Sequence, residues 1–318
     1  MESCNPASLV LMIKPRLILG LWPIAGITTL GVTKDDATAT LHAAIDIGIT
    51  QFDTAFNYGF QGESDRLLGR ILRERSCDAV VLGKVGQRWA GTRRVIDGRP
   101  ATLVADAESS LSRLARESFD CLLLHSPDPA VRIERSAEAL AQLKQRQLCK
   151  RVGVCNVNQD QLARFSRVVA CDAIQCPLNL IQRDSLSGLI PAAQRQGTNV
   201  YTFWALMKGM LAGRIGPNHM FDPADPRAGY EIFQGQFRRR ADHIVAGLIE
   251  IGKQSNHTVA QLAIGWTLAQ PGVSAVLAGA RKPEQITELA ASQPLGEEEV
   301  TQIDQLVAAS NRESHRTT

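Results

Sequence analysis

No two glycines in the sequence stand two positions apart, so the G-x-G-x-x-G turn of a Rossmann dinucleotide site is absent, and no P-loop is present either. No two of the seven cysteines lie three residues apart, and their number is odd. That excludes zinc-ribbon spacing and a fully paired disulfide framework, and it favours a reducing cytoplasm. The six histidines contain no i, i+4 pair, so no metal site is expected. Long apolar runs are missing as well: nothing approaches the roughly 20 residues of a membrane helix. The run at 9–13 is short, has no basic segment before it and no clear cleavage site after it, so no export signal is expected. Charge of one sign is also scarce. With 35 Lys and Arg against 32 Asp and Glu, a formal +3 gives no reason to expect nucleic acid or a membrane surface as partner. Arg238-Arg239-Arg240 opens a helical pattern and is expected on a solvated face.

What is present is ordinary core. At 44% hydrophobic and 21% charged, the 318 residues read as one soluble globular domain spanning 1–318. Short apolar runs at 16–21, 51–55, 79–85, 119–125, 151–156, 173–178, 200–205 and 273–279 read as strands. Between them lie helical patterns such as 36–47, 63–74, 103–117 and 134–147. In the third of these, Leu103, Ala107, Leu111 and Leu114 form one apolar stripe, with Asp106, Glu108 and Arg113 expected on other faces. The strands are apolar rather than alternating, as when both faces are covered. Eight βα units predict an α/β fold of the (β/α)8 TIM-barrel type. A long Gly- and Pro-containing loop, 207–236, follows strand 7, and extra helices are expected at 237–254, 259–269 and 297–309.

In such barrels chemistry sits where strands end. Asp53 lies near the end of the second strand, Lys84 near the end of the third, and His125 finishes the fourth, each after an apolar run. Tyr58 stands five residues beyond Asp53. Singly, an Asp there is more often a turn former or cap, a Tyr more often packing, and a His more often a quiet hydrogen-bonding partner. A Lys there is harder to dismiss, though a surface position is the plain alternative. Jointly, acid, phenol, amine and imidazole converge on one barrel mouth. A phenol with pKa near 10 becomes a usable acid–base group at neutral pH beside an ammonium, and an imidazole can orient a substrate oxygen.

The segment Phe52-Asp53-Thr54-Ala55-Phe56-Asn57-Tyr58-Gly59, with Gly62-Glu63-Ser64 and Leu67-Leu68-Gly69, resembles the signature of the aldo-keto reductase superfamily. Lys84, His125-Ser126-Pro127-Asp128-Pro129, Val152-Gly153-Val154-Cys155-Asn156, Gln175, Gly209-Met210-Leu211-Ala212-Gly213 and Gly279-Ala280-Arg281-Lys282-Pro283-Glu284-Gln285 extend the resemblance in order along nearly the whole chain. It implies a catalytic set of Asp53, Tyr58, Lys84 and His125, with Tyr58 the general acid in reduction. It also implies NADP(H) as cofactor, with NAD(H) the other option, on a site built from barrel loops. Asn156 and Gln175 would hold the nicotinamide carboxamide and Phe203 would stack on the ring. Arg281 would meet the 2′-phosphate, for which its rigid fork is suited. Gln285 and Glu288 would line the adenosine, and Gly20, Trp22, Leu206 and Gly279 would border the cofactor. The implied partner is a small-molecule carbonyl or alcohol.

Four positions depart from the family's pattern: Cys155 for Ser, Phe203-Trp204-Ala205 for the usual Tyr or Trp, Ser, Pro run, Leu289 for Asn, and Gly83 for Thr or Ser before Lys84. They bear on cofactor affinity rather than reaction type. As a buried small thiol, Cys155 reads as packing rather than as a nucleophile. Two other readings stay open: a cofactor-binding regulatory subunit with little turnover, and an aldolase-like barrel using Lys84 as a Schiff base. Specificity is expected in the loops 87–100, 128–133 and 207–236. The first carries Trp89, Arg93, Arg94 and Arg99, a hint of a polar or anionic substrate.

Overall fold

Among the described residues ten strands follow one another: β1 (Leu17–Gly20), β2 (Gln51–Asp53), β3 (Val80–Val85), β4 (Gln87–Ala90), β5 (Arg93–Ile96), β6 (Cys121–Leu124), β7 (Val152–Cys155), β8 (Ala173–Pro177), β9 (Asn199–Phe203) and β10 (Ala275–Ala278). The structure, a computed structural model, describes residues 16–26 and 29–316, with side chains described as far as residue 311. The apolar run 9–13 lies outside the described residues. Eight strands pair in parallel and close into a barrel in the order β1-β10-β9-β8-β7-β6-β3-β2. This is the (β/α)8 barrel that the eight apolar runs predicted.

The helices occupy the spaces between strands: α1 (Lys34–Asp46), α2 (Glu63–Glu74), α3 (Pro100–Leu114), α4 (Ile133–Gln145), α5 (Gln159–Ser166), α6 (Asp184–Ser187) and α7 (Leu189–Arg195). After β9 come α8 (Gly235–Ser255) and α9 (Val259–Ala269), and after β10 come α10 (Pro283–Ala290) and α11 (Glu297–Arg316). Local chemistry sets several starts. Thr33 with Asp36, Asn158 with Gln161, and Thr258 with Gln261 each form a reciprocal capping box that satisfies two otherwise orphaned amides. Helices α2 and α3 approach so closely that a Cβ on Gly69 would stand 2.3 Å from the Leu114 carbonyl oxygen. Only a glycine permits that contact. Among the described residues no helix is long and apolar enough to cross a membrane.

Two expectations are corrected. The segment after β3 is not an open loop: β4 and β5 pair as an antiparallel hairpin, Gln87 opposite Ile96 and Ala90 opposite Arg93. Its two-residue turn places Gly91 at φ +62°, the conformation that tight hairpin turns require. Asp106, off the apolar stripe of α3, is fully buried, accepting from the Gly86 amide (3.0 Å) and from the Arg88 guanidinium (2.5 and 2.8 Å). Arg238 is likewise buried rather than solvated, because Asp242 (2.9 Å) and the Gly216 carbonyl satisfy its guanidinium. The long loop after β9 also carries structure of its own, three short 3-10 turns at Met207–Ala212, Pro226–Gly229 and Glu231–Phe233.

Candidate active site

Inside the barrel, Ile18, Leu82, Leu123, Ala173, Tyr201 and Leu277 pack against one another. Strand side chains alternate between faces, so the residue two positions further along points inward again. Those residues are Gly20, Lys84, His125, Gln175, Phe203 and Gly279, and all line one cavity of about 570 Å³ at the C-terminal end of the barrel. Asp53 joins them from β2 and Cys155 from β7. The barrel register thus gathers one residue from each of eight distant strands into a single ring.

Asp53 and Lys84 are fully buried and form an ion pair. The second carboxylate oxygen of Asp53 accepts from Gln175 Nε2 at 2.6 Å, and Lys84 Nζ also donates to the Thr54 carbonyl at 3.2 Å. Both oxygens of Asp53 and two of the three Lys84 donors are therefore engaged within the protein. Burial opposes the ammonium of Lys84, but the Asp53 carboxylate, together with smaller contributions from Tyr58 and Cys155, offsets this and holds its pKa above the ordinary lysine value.

The Lys84 ammonium lies 4.7 Å from the Tyr58 ring centre. Tyr58 is wedged between Trp22 (ring centres 5.1 Å apart) and His125 (5.9 Å), both edge-on. Its loop is anchored beneath by a buried network: Thr54 and Ser110 donate to Asp65, and Arg113 approaches the same carboxylate at 4.0 Å. Burial raises the Tyr58 phenol to about 12, against the opposing pull of Lys84. The phenol is therefore a proton donor at neutral pH. Burial, helped by the positive charges of Lys84 and Arg94, pushes His125 well below the ordinary histidine range. Its imidazole is neutral at neutral pH, with a buried Nδ1 that has no hydrogen-bond partner.

Asn156, at φ +57°, donates to the His125 carbonyl at 2.9 Å. Phe203 and Trp204 stand perpendicular, 5.6 Å apart, with Leu206 beside them on the wall. The far end of the cavity is cationic. Arg281 is half-buried there, with Arg227 and Arg214 as charged neighbours. Arg227 is paired to Asp225 (2.6 Å) and Arg214 to Glu288 (2.6 Å), while Gln285 Oε1 accepts from the Arg281 amide at 2.9 Å. Burial pushes the Arg281 guanidinium down from its ordinary value. Among the described residues no group of His, Cys, Asp and Glu is spaced to hold a metal ion.

All the residues expected to serve catalysis or the cofactor line this one cavity, including Trp22, Leu206, Gln285 and Glu288. Arg94, singled out in the loop 87–100 as a hint of an anionic substrate, lines it too, whereas Ser126, Lys208, Tyr230, Arg214 and Arg227 line it without having been singled out. Ser126 was legible as the neighbour of His125. The others come from the long loop, where no periodicity marks an inward face.

Set beside known proteins, residues 16–308 match the sequence pattern of the Aldo/keto reductase family. The chain is 32% identical to aldo-keto reductase YhdN of Bacillus subtilis (strain 168) over 277 residues, 86% of this chain and 83% of the relative. It is 26% identical over 289 residues to the NADH-specific methylglyoxal reductase of Escherichia coli (strain K12), covering 86% of this chain and 88% of that one. Its backbone superposes on glycerol dehydrogenase AKR11B4 from Gluconobacter oxydans with a TM-score of 0.85 at 31% identity, over 93% of this chain and 92% of the other. With the barrel, the buried Asp–Lys pair beneath a tyrosine and this breadth of likeness, the chain belongs to the aldo/keto reductase family, oxidoreductases of carbonyls and alcohols that use a nicotinamide cofactor.

Proposed function

We propose that the protein is an NADP(H)-dependent oxidoreductase that interconverts an aldehyde, ketone or sugar and its alcohol, with Tyr58 as general acid in reduction and general base in oxidation. The observation that carries the reading is the stacking of Tyr58 over the buried Asp53–Lys84 pair, beside a neutral His125. The cavity fits the cofactor. Arg281 and its arginine neighbours suit phosphates, and the Asn156 and Gln175 amides with the Phe203 ring form a polar-and-flat wall suited to a nicotinamide. A bound nicotinamide supplies the hydride to the carbonyl carbon.

The side chains do the remaining work. His125 presents a neutral N–H to the carbonyl oxygen and orients it. Tyr58 donates its proton as negative charge builds on that oxygen, and the resulting phenolate is stabilised by the Lys84 ammonium beside it. Asp53 fixes Lys84 in place and keeps it charged. That role argues against Lys84 as a Schiff-base nucleophile, which must be neutral to attack. The preference for NADP(H) over NAD(H) rests on Arg281 alone. The described cysteines are free thiols, which supports a reducing, cytoplasmic setting, and we take the chain as a single barrel domain.

Fluorescence titration with NADPH and with NADH tests the cofactor assignment, and tighter NADPH binding is expected. Replacing Tyr58 by Phe is expected to lower turnover by about 10²–10⁴-fold while cofactor binding persists. Wild-type rates in that variant would remove Tyr58 from the mechanism.

A further inference from the structure

The cavity is lined by six lysines and arginines but by three carboxylates, and each carboxylate already has its own cation. Asp53 is paired with Lys84, Asp225 with Arg227 and Glu288 with Arg214. Arg281, at the end assigned to the cofactor's phosphates, is one cation left over. The other two, Arg94 and Lys208, stand elsewhere, at the end that holds Tyr58 and His125.

Arg94 reaches the mouth through the hairpin. On β5 neighbouring side chains face opposite ways, so Arg94 lines the cavity while Arg93 does not. The Arg94 guanidinium lies 5.3 Å from the Trp22 ring centre, and Trp22 in turn packs edge-on against Tyr58. Trp89, opposite Arg94 in the hairpin, donates its indole N–H to the Asn57 carbonyl at 2.9 Å, which ties the hairpin to the loop carrying Tyr58. Of the other arginines of this segment, Arg88 is paired with Asp106 and Arg99 with Asp97, and Arg93 does not line the cavity. Lys208 comes from the long loop after β9 and has φ +55°, an uncommon conformation for a lysine. Its ammonium lies 4.4 Å from the Tyr230 ring centre and 5.2 Å from that of Trp204. The two cations are close enough for Arg94 to depress the Lys208 pKa, on top of the larger effect of burial. Among the described residues neither has an acidic partner. Two unpaired like charges converging on one mouth repel each other, and an anion between them removes that cost.

We propose that Arg94 and Lys208 form a subsite for the anionic group, phosphate or carboxylate, of a short carbonyl substrate whose reacting carbon lies at Tyr58 and His125. The inference rests on the reductase reading and adds the substrate class to it. Lys208 is half-buried beside its two rings, which limits its hydration and strengthens its hold on an anion, while Arg94 stands exposed at the rim over the Trp22 ring.

The test compares matched substrates with NADPH as reductant: glyceraldehyde with glyceraldehyde 3-phosphate, and butanal with succinic semialdehyde. Wild type is expected to favour the charged member of at least one pair, and the two pairs tell a phosphate site from a carboxylate site. Arg94→Gln should reduce the charged-to-neutral ratio of kcat/KM about tenfold, mostly through KM, as the loss of a charge-assisted contact made equally in ground and transition states requires. Lys208→Met should do the same, and Arg93→Gln, on the opposite face of the same strand, should leave the ratio unchanged. Raising the ionic strength should shrink the preference in wild type more than in either variant. The inference is overturned if the ratio persists in Arg94→Gln, or if Lys208→Met weakens NADPH binding and leaves the ratio intact. Turnover of the neutral substrates without any charge preference removes the subsite alone. No turnover of any member removes the reductase reading and the subsite together.

Discussion

Asp65 offers a prediction whose size follows from its surroundings. The carboxylate is fully buried beneath the Tyr58 loop, with Thr54 Oγ1 at 2.6 Å, Ser110 Oγ at 2.5 Å and the Arg113 guanidinium at 4.0 Å. Burial outweighs the two hydroxyl donors and the nearby cation, and raises its pKa from 3.8 to about 6. The folded chain therefore keeps this proton to higher pH than the unfolded chain does. Its contribution to stability is fully present in acid and is lost as pH rises through about 6. A shift of this size corresponds to roughly 3 kcal/mol in all, of which about 1 kcal/mol is lost between about pH 5 and about pH 7. Asp65→Asn keeps an acceptor oxygen for one hydroxyl and carries no charge. Equilibrium urea unfolding of both proteins across this range should show the variant gaining about 1 kcal/mol relative to wild type, then holding a constant difference above it. Any packing penalty of the amide adds a constant offset and does not imitate the slope. Parallel pH profiles for the two proteins would refute the argument, because they would mean that the buried carboxyl has an ordinary pKa.

Three further outcomes follow from the structure. With the Tyr58 phenol raised to about 12, kcat/KM for reduction should stay level through the range in which a free phenol, of pKa about 10, ionises, whereas a fall there would contradict its burial. The ring signals of His125 should titrate well below the ordinary histidine range in NMR spectra, since burial and the nearby cations disfavour its protonation, and an ordinary histidine titration would contradict this. Gly69→Ala should destabilise the fold by roughly 1–3 kcal/mol, read from the urea midpoint, because its new methyl meets the rigid Leu114 backbone rather than a movable side chain.

The barrel was legible because its strands are buried on both faces and therefore stand out as apolar runs; all eight were found within two residues of their ends. The ring of inward residues was legible for a related reason. In a closed parallel barrel the end of every strand points to the same mouth, so sequence position alone brings Asp53, Lys84, His125, Gln175 and Gly279 together. Charged residues outside the strands behave differently. Arg238 is expected on a solvated face because pattern reading sends charge outward, yet it is buried, held by Asp242 one turn along its own helix and by the Gly216 carbonyl that the tertiary fold supplies; Asp106, off the apolar stripe of its helix, is buried against Arg88 in the same way. The hairpin escaped notice because Arg93 and Arg94 occupy it without apolar alternation, its inward face being a cavity rather than a core. The same circumstance explains why the sequence hints at an anionic substrate through Arg94 but does not show that Lys208 joins it. Arg94 and Lys208 lie on separate loops with no shared periodicity, and only the path of each loop over the barrel makes them neighbours. In this fold the reaction is written into strand ends and the choice of substrate into loop encounters, so the first can be read in order along the chain and the second requires coordinates.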